Sequence, residues 1–428
     1  MSDKWSEVSP MYPKSVVLVL IFAVMLASAT VSTPLARAQT LTLLHTFVPL
    51  PDGEFPSAMI QDAAGNFYGT AVAGGSECES FGGCGTVFKV AKNGKYSTLY
   101  SFAGGNDGAR PLAALILDAA GNLYGTTQGN GYISAASTVF KLDPSGTETV
   151  LHIFNQSTGG GNSDAPLVLD KQGNLYGTTP IDGDTNCGRN DIGCGVVFKV
   201  DTKGNFNVIH TFSGPDGEQP EGGLVIDAAG NLYGSTWWGG HLNCKSDAPF
   251  GCGAIFKLDA SGKFTTLYRF KGVADGRTPL GVTQDSAGNL YGIATEGGDL
   301  SCNAPYGCGT IFEVDARGKF KVLYTFSPTT TRTPVYASTL LRDKNGNLYG
   351  AKQFDGAHNA GFLFRLSPSG KFTDLVDFPD GGGPDGSDPI GFALSGKNFY
   401  ISMDSGGDYD KCPLVGQFGC GTLLKVAP

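Results

Sequence analysis

The sequence is poor in signals of catalysis. It contains only five histidines in 428 residues, and no G-x-S-x-G, H-E-x-x-H or phosphate-binding P-loop pattern occurs. His45, His152 and His210 occupy a slot that Tyr fills in other copies of the repeat described below. We therefore expect these three to pack within strands, and only His241 and His358 fall in loops.

Positive charge and helical periodicity are also scarce. With 30 basic and 39 acidic side chains the net charge is −9, and no basic stripe is present. This argues against nucleic acid as a partner and against attraction to an anionic membrane. No sustained apolar period of 3.6 occurs after residue 38, so helices are not expected there. No second hydrophobic segment follows, which predicts no membrane insertion of the mature chain.

The first 38 residues differ from the rest. Lys14 precedes an apolar run at Val16–Ala29, and an A-R-A pattern typical of a cleavage site follows. We predict a signal peptide over 1–38 and one domain over 39–428, with translation starting either at the first residue or at Met11. The sequence ends without a sorting or membrane tail, so we expect a released protein rather than an anchored one.

Glycine is abundant, with 64 residues, and much of it belongs to a motif that recurs seven times. The motif is D-x-x-G-N-L-Y-G, a variable Gly/Cys-rich stretch, G-T-V-F-K-L, a turn, and a strand ending L-H/Y-x-F. A fixed period of roughly 50–58 residues indicates an array or a closed ring. The G-N-L-Y-G element occurs at Gly65–Gly69, Gly121–Gly125, Gly173–Gly177, Gly230–Gly234, Gly288–Gly292 and Gly346–Gly350, with a degraded copy at Gly396–Ile401.

Each repeat predicts four strands, because short β-branched or aromatic runs are bounded by Gly, Asp, Asn or Pro. The turns D-A-A-G-N and D-P-S-G between them are hairpin signals. Large residues on both faces of the strands suit sheets that are packed between two neighbours. We predict an all-β, seven-bladed β-propeller with four-stranded blades. In the second repeat the strands are Leu112–Asp118, Asn122–Thr127, Ser137–Leu142 and Thr147–Phe154.

Ring closure depends on the first strand. An L-H-x-F strand at Thr42–Phe47 precedes any complete repeat, and the chain stops after the third strand of repeat seven. We predict that this N-terminal strand closes the last blade as its missing outer strand, which removes a free edge. The alternative makes Thr42–Phe47 the first strand of its own blade and leaves the ring without a clasp.

The ten cysteines form five close pairs at the same place in the repeat. Five to seven residues separate the members of each pair, more than the two to four typical of structural zinc sites. We predict disulfides, with convergence on a metal as the alternative, and disulfides indicate export. The pairs are Cys78/Cys84, Cys187/Cys194, Cys244/Cys252, Cys302/Cys308 and Cys412/Cys420.

The G-N-L-Y-G-T-T and G-T-V-F-K-L pairing, with D-G-x-x-P links, resembles the GloVer tandem-repeat proteins, which are exported bacterial proteins with differing surface anchors. The resemblance covers essentially the whole mature chain. It implies a secreted or extracytoplasmic β-propeller, and it brings no activity or catalytic residues to carry over. The D-x-x-G-N-L-Y turn is also similar to repeats of lactonase and lyase propellers.

Two sets of loops are expected on one face of the propeller, which we call the loop face. They join the second to the third strand and the fourth strand to the next blade, and they carry nearly all the sequence variation. Trp237 and Trp238, followed by His241, could stack on a sugar ring, although packing between blades is the alternative. An aromatic or apolar residue precedes each second cysteine and either lines a groove or covers its own disulfide: Phe81, Ile192, Phe250, Tyr306 and Phe418.

The D-G-x-x-P links place carboxylates at matching positions. Asn162 and Thr330 fill this position in repeats three and six. Calcium binding is one interpretation, but Asp before Gly is ordinary turn chemistry and favours a structural role. The link aspartates are Asp52, Asp107, Asp216, Asp275 and Asp385.

Together these observations favour a monomeric binding propeller that recognises a glycan or a cell-surface partner, without a metal or other cofactor. The predicted ligand-binding set is Trp237, Trp238, His241, Phe250 and Tyr306. One alternative is a lyase or hydrolase acting on a polysaccharide or lactone at the central channel. A second alternative is a structural envelope protein.

Overall fold

The computed structural model of the chain describes most of the region after the predicted signal peptide. The described residues are 40–76, 78, 82–129, 136–154, 161–184, 186–187, 192–241, 244, 251–302, 304–328, 340–379, 383–412 and 419–427. The predicted signal peptide lies outside these residues and stays a prediction.

Strands β1–β29 form seven antiparallel sheets, which are the blades of a propeller, as predicted. Blade one contains β2 (Glu54–Pro56), β3 (Ile60–Gln61), β4 (Phe67–Ala73), β5 (Thr86–Val90) and β6 (Tyr96–Ser101). Blade two contains β7 (Ile116–Leu117), β8 (Leu123–Thr127), β9 (Thr138–Leu142) and β10 (Glu148–Ile153). Blade three contains β11 (Val168–Leu169), β12 (Leu175–Thr179), β13 (Val196–Val200) and β14 (Phe206–Thr211).

The remaining blades repeat this order. Blade four contains β15 (Val225–Ile226), β16 (Leu232–Thr236), β17 (Ala254–Leu258) and β18 (Phe264–Arg269). Blade five contains β19 (Arg277–Gln284), β20 (Leu290–Glu296), β21 (Thr310–Val314) and β22 (Phe320–Thr325). Blade six contains β23 (Leu341–Arg342), β24 (Leu348–Lys352), β25 (Phe362–Leu366) and β26 (Phe372–Asp377). Blade seven contains β27 (Ser387–Ser395), β28 (Asn398–Ser405), β29 (Thr422–Ala427) and, as its outer strand, β1 (Thr40–Thr46).

Helical structure is minimal. Two single-turn 3-10 segments occur, at Gly105–Asp107 and Tyr409–Lys411, and the described part of the chain has no α-helix. No helix there is long and apolar enough to cross a membrane.

The N-terminal strand closes the ring. β1 pairs antiparallel with β29, with Leu41 opposite Val426 and Thr46 opposite Thr422. The predicted clasp is therefore confirmed, and the alternative of a separate first blade is wrong. Because β1 covers the last strand of blade seven, that blade has four strands, as blade six has, and no free outer edge on β29.

The innermost strands are shorter than predicted in several blades. In blade two regular pairing covers Ile116–Leu117, whereas the sequence pattern predicted Leu112–Asp118. Pro111 has no N–H to donate, and Arg110 before it has a positive φ of 59°. The residues that lead into the blade therefore do not join the hydrogen-bonded ladder. The Pro111 carbonyl instead accepts a hydrogen bond from the Thr70 hydroxyl of blade one, at 2.7 Å.

A fit between glycine and phenylalanine makes each blade thin enough to pack. The Gly of N-L-Y-G lies opposite the Phe of V-F-K in the next strand, for example Gly234 opposite Phe256. A Cβ on Gly234 would lie 2.6 Å from the ring of Phe256. The two motifs therefore depend on each other, because only glycine leaves room for the ring.

The buried ring also contacts the preceding blade. In blade three Phe212, at the end of the outer strand, is fully buried and meets Phe256 of blade four edge to face, with centroids 5.3 Å apart. Such pairs contribute about 0.5–1.5 kcal/mol beyond the area they bury. The same contact joins Phe47 to Phe88, Phe102 to Phe140, Phe154 to Phe198, Phe270 to Phe312 and Phe326 to Phe364.

On the loop face, a second glycine sets the spacing between blades. The Gly that begins G-T-V-F-K has a positive φ in all six blades that carry it, whereas blade two has Ser137 there. In five of these blades it lies against the proline of the next link: Gly85, Gly195, Gly253, Gly361 and Gly421. A Cβ on Gly253 would lie 2.5 Å from Cδ of Pro279 and 2.4 Å from the Thr236 carbonyl oxygen. This position therefore excludes any side chain both by conformation and by space.

Gly253→Ala should destabilise the protein by about 3 kcal/mol or more, because backbone strain and overlap with Pro279 add together. Gly262 is the matched control, since its φ is +88° but nothing lies within 4 Å of its hypothetical Cβ. Gly262→Ala should cost only about 1 kcal/mol, from backbone strain alone. Denaturant unfolding of the two variants measures the difference, and equal losses would contradict the packing argument.

Candidate functional site

On the loop face, a backbone hydrogen bond joins a blade to the one before it at five joints within the described residues. Gln219 of blade four donates its backbone N–H to the Cys194 carbonyl of blade three at 2.9 Å, and Thr278 donates to Cys252 in the same way at 3.0 Å. The corresponding bonds run from Phe55 to Cys420, from Arg110 to Cys84 and from Asp388 to Ala360, at 2.9–3.0 Å. We call these donors, with their equivalent Asn162, the latch residues.

The latch residues share a left-handed backbone but differ in side chain. Their φ angles lie between 53° and 61°, a region that glycine enters most easily, yet none of the six is glycine. Strained residues of this kind cluster at functional sites. A phenylalanine, an arginine, an asparagine, a glutamine, a threonine and an aspartate therefore stand at equivalent points around the propeller axis.

The sequence-based placement of Asn162 is wrong. Gly161 pairs with Ile181 as Glu218 pairs with Trp238, so Asn162 is equivalent to Gln219 and not to a link aspartate. Pro166 lies four residues after Asn162, as the link proline follows Asp, but Ser163 occupies the position that proline holds in the other links. The equivalent of the link aspartate is residue 159, which lies outside the described residues, as does Thr330.

All five predicted disulfides are present, and no cysteine is left free. The second cysteine of every pair is fully buried, and each bond closes a small loop. In four pairs the carbonyl of that second cysteine accepts the latch hydrogen bond from the next blade, so the disulfide also fixes the acceptor that holds the neighbouring blade. The bonds are Cys78–Cys84, Cys187–Cys194, Cys244–Cys252, Cys302–Cys308 and Cys412–Cys420.

Cys308 of blade five is the second cysteine for which no latch bond is seen. It follows Gly307, which bridges Gly297 as Gly251 bridges Gly239, so Cys308 is equivalent to Cys252. The stretch of blade six that would carry its donor, residues 329–339, lies outside the described residues. Cys308 itself is fully buried with its partner Cys302. Its role is therefore structural, because its sulfur atom is held in a buried disulfide.

Blade six lacks a cysteine pair and uses a buried ion pair. Lys352 is completely buried, and its Nζ lies 2.5 Å from Oδ2 of Asp355 and 3.2 Å from the Phe354 carbonyl oxygen. Burial lowers the pKa of Lys352 to about 8, and Asp355 opposes this shift. In blade four Thr236 takes the equivalent place and bonds the Trp238 carbonyl. No sequence pattern indicated this ion pair, because Lys352 reads as an ordinary strand residue.

The two tryptophans lie together on the loop face of blade four. Trp237 and Trp238 are partly exposed, and their rings are nearly parallel at 11° with centroids 6.3 Å apart. Their backbone N–H groups bond to Gln219 and Glu218, which ties the pair to the latch segment. The indole nitrogen of Trp237 is buried and has no hydrogen-bond partner among the described residues. The two half-buried, nearly parallel indoles offer an apolar platform on the loop face.

Two of the other predicted ligand-binding residues, His241 and Tyr306, lie within the described residues, and Phe250 does not. His241 is exposed at the end of the tryptophan segment. Tyr306 of blade five is 49% exposed, and the Arg277 guanidinium lies 5.4 Å from its ring centroid. Arg277 is itself buried, with Nε 2.7 Å from a carboxylate oxygen of Glu296. The Tyr306 ring therefore packs on the guanidinium of Arg277. Phe250, Phe81 and Phe418 lie outside the described residues.

Two carboxylates that the sequence analysis missed enter the site from neighbouring blades. Asp164 and Glu221 are equivalent by register, each three residues after Gly161 and Glu218, respectively. Burial raises the pKa of Asp164 to about 6. Burial and the negative charge of Asp164 raise the pKa of Glu221 to about 8. The pair therefore retains a proton near neutral pH, as carboxylic acids of acid–base catalysts do.

A comparison of repeats at this position would have revealed them. Blade two has Leu112 where blades three and four have acids, so a charge replaces an apolar residue at one register position. For Glu221 the signal lies directly after the link proline. For Asp164 it was hidden by the misaligned link of repeat three.

The link aspartates hold the blades and do not converge. His45 Nε2 lies 3.0 Å from Asp52, and His210 Nε2 lies 3.0 Å from Asp216. Tyr100 and Tyr268 donate to Asp107 and Asp275 at 2.8 and 2.7 Å. The predicted structural role is confirmed for these four, and the packing of His45, His152 and His210 within strands is confirmed as well. Within the described ranges no three His, Cys, Asp or Glu residues come together as a metal site.

Comparison with known proteins identifies the repeat. The model of the Gloeobacter/Verrucomicrobia repeat matches residues 30–190 and 188–415. The chain belongs to this family. No curated protein sequence resembles this family member closely enough to count as a relative.

Solved structures that resemble this repeat protein share its fold. A catalytically inactive virginiamycin B lyase from Staphylococcus aureus, solved with quinupristin, has a TM-score of 0.56 at 13% identity, over 91% of this chain and 99% of that one. The extracellular domain of a putative hybrid two-component system from B. thetaiotaomicron has a TM-score of 0.54 at 14% identity, over 91% and 41%. A puromycin hydrolase mutant has a TM-score of 0.52 at 15% identity, over 84% and 51%. At such identities the likeness shows the fold alone.

Glu221→Gln should change how stability depends on pH. The folded pKa of Glu221 is raised above its unfolded value of 4.5, so the stability it contributes is present at low pH and lost as pH rises towards about 8. We expect the wild-type unfolding free energy to fall by about 4 kcal/mol relative to Glu221→Gln between about pH 5 and 9. Asp164→Asn should complete this loss at a lower pH, because removing the neighbouring negative charge lowers the folded pKa of Glu221. Parallel curves for wild type and Glu221→Gln would contradict the assignment.

Proposed function

We propose that this repeat protein is an exported, monomeric binding module that recognises a carbohydrate on its loop face at blades three to five. The observation that carries the proposal is the Trp237–Trp238 pair, because partly exposed indoles with parallel rings suit stacking on sugar rings. The five disulfides are consistent with an extracytoplasmic location. The predicted signal peptide would direct the export.

The distribution of exposed apolar side chains supports the choice of face. Among the described residues, five large apolar side chains are exposed on loops of the loop face: Leu50, Ile192, Leu300, Tyr306 and Phe354. Three more lie on outer strands, and the turns of the opposite face have none within the described ranges. Exposed apolar groups gathered on one face are typical of interaction surfaces.

A second candidate function is catalysis on a polysaccharide or lactone. The observation in its favour is the Asp164–Glu221 pair, whose pKa values of about 6 and about 8 suit a proton acceptor and a proton donor. Both acids stand on the segments that carry Asn162 and Gln219, two residues further along. Loss of product formation in Glu221→Gln, with ligand affinity retained, would favour this function over binding alone.

Carbohydrate binding should be visible in tryptophan fluorescence. The chain has three tryptophans, and Trp5→Phe leaves only Trp237 and Trp238 as reporters. We expect a saturable change with one class among soluble cello-, xylo-, manno-, chito- and galacturono-oligosaccharides. Trp237→Ala and Trp238→Ala, followed by calorimetry, should each weaken binding at least tenfold, or about 1.4 kcal/mol.

The control is Val208→Ala, which shortens an exposed apolar residue on the outer strand of blade three, away from the loop face. It should leave affinity unchanged. A flat response to every class would oppose carbohydrate binding. A loss of several kcal/mol of stability in both tryptophan variants would assign the pair to packing between blades.

A further inference from the structure

Blade five breaks the charge pattern of the third strand. Every other blade has Lys or Arg directly after the central residue of this strand: Lys89, Lys141, Lys199, Lys257, Arg365 and Lys425. In blades one, three and four the Lys Nζ lies 5.2–5.6 Å from the ring centroid of the Tyr on the neighbouring strand. Blade five has Glu313 at this position, opposite Tyr291.

The missing cation is supplied from blade six. The guanidinium of Arg342, on β23, lies 5.1 Å from the Tyr291 ring centroid and 3.6 Å from Oδ2 of Asp285. The Tyr291 hydroxyl donates to Asp285 at 3.0 Å and lies 3.4 Å from Glu313. The substitution therefore leaves a carboxylate on one blade facing a guanidinium on the next.

A cleft opens between these two blades on the face of the hairpin turns, opposite the loop face. Its volume is about 240 Å³. Charged groups in its lining are Glu313, Lys321 and Arg342, and the turn of blade six adds Ser367 and Ser369. The side chains of Lys321 and Arg342 form no hydrogen bond within the described ranges, and the Arg342 guanidinium contacts Asp285 only at 3.6 Å. The cleft thus contains two cationic side chains whose hydrogen-bond donors are unpaired among the described residues, one carboxylate and two hydroxyls.

This arrangement selects a ligand by charge and by size. An Arg guanidinium presents a fork of donors that matches a carboxylate, and Lys adds a point charge beside it. Glu313 has an oxygen left for a cation after its contact with Tyr291. Leu323 and Pro368 give the lining an apolar part, and the volume is below the range of drug-sized sites.

We propose that the cleft between blades five and six binds a small zwitterion of the α-amino acid class. Its carboxylate bonds to Arg342 and Lys321, and its ammonium bonds to Glu313. The hydroxyls of Ser367 and Ser369 are within the same lining and orient the ligand. This site is separate from the carbohydrate site, because it lies on the opposite face.

The repeat supplies variants that should fold. Glu313→Lys installs the residue that five other blades carry there, and Arg342→Gln installs the residue of Gln61 and Gln284, which are equivalent by register. Lys319→Gln is the control, since Lys319 is exposed on the blade-five turn and does not line the cleft. Thermal unfolding and circular dichroism establish that each full-length variant is folded.

The experiment is calorimetric titration of the full chain with a panel of L-amino acids that includes L-alanine, L-serine and L-leucine. Each is compared with its N-acetyl derivative, which lacks the ammonium, and its amide, which lacks the carboxylate. We expect saturable binding of at least one free amino acid and at least tenfold weaker binding of both derivatives. Glu313→Lys and Arg342→Gln should each weaken binding tenfold or more, and Lys319→Gln should leave it unchanged.

Three results would overturn the proposal. They are no binding of any free amino acid at millimolar concentration, equal binding of an N-acetyl derivative, and undiminished binding by both cleft variants. If either variant fails to fold, the comparison of free and derivatised amino acids on the wild-type chain still decides the ligand class. Failure here leaves the carbohydrate proposal standing, since tryptophan fluorescence reports on the other face.

Discussion

The structure depends on the fit between one glycine and one phenylalanine in each of six blades. The Gly of N-L-Y-G has no side chain, so the Phe of V-F-K can lie over its strand. The Phe ring then contacts a Phe from the preceding blade. This contact buries apolar area between sheets that share no hydrogen-bonded ladder. Blade seven has Ile401 and Leu424 at these positions, both fully buried in the same cluster as Phe378. Aliphatic side chains therefore replace the glycine–phenylalanine fit where the ring closes.

Once packing and strand pairing are satisfied by the repeated motifs, the loop face is left free to vary. The disulfides and the Lys352–Asp355 pair fix its loops in different ways, so the fold tolerates either solution. Aromatic, acidic and basic side chains then occupy equivalent positions in different blades. The same separation holds on the turn face, where a single exchange of charge between blades five and six alters one cleft and leaves the other blades unchanged.

Much of the fold was predictable because local, repeated patterns determine it. Strand boundaries follow G-N-L-Y-G and V-F-K closely, and the early L-H-x-F strand at Thr42–Phe47 indicated the closure that β1 makes. The disulfides followed from the close pairing of the cysteines at one place in the repeat. The predicted inner strand Leu112–Asp118 was too long, because Arg110 and Pro111 bring the chain in outside the ladder.

The site was less predictable, because its groups meet through register between blades. Asp164 and Glu221 lie far apart in sequence, and their equivalence emerges only when Gly161 and Glu218 are seen to pair alike. Trp237 and Trp238 were visible as a sequence anomaly, but their link to Gln219 and Glu218 was not. The contact of Arg277 with Tyr306 joins the start of β19 to a loop of blade five that no local motif connects to it.

The latch residues determine how easily the loop face accepts substitutions during evolution. Five of the six join two blades through the backbone N–H. Among the described residues only Asp388 also bonds the preceding blade through its side chain, which accepts from the Phe354 N–H at 3.3 Å. The side chains of the other four make no hydrogen bond to the preceding blade within the described ranges. Proline, which lacks that N–H and cannot adopt a positive φ, is the one residue the position excludes outright. β-Branched residues are disfavoured there, yet Thr278 shows that one is accommodated. The latch positions on the loop face are thus nearly independent of one another. Single substitutions there can change which ligand is recognised without altering the packing of the blades.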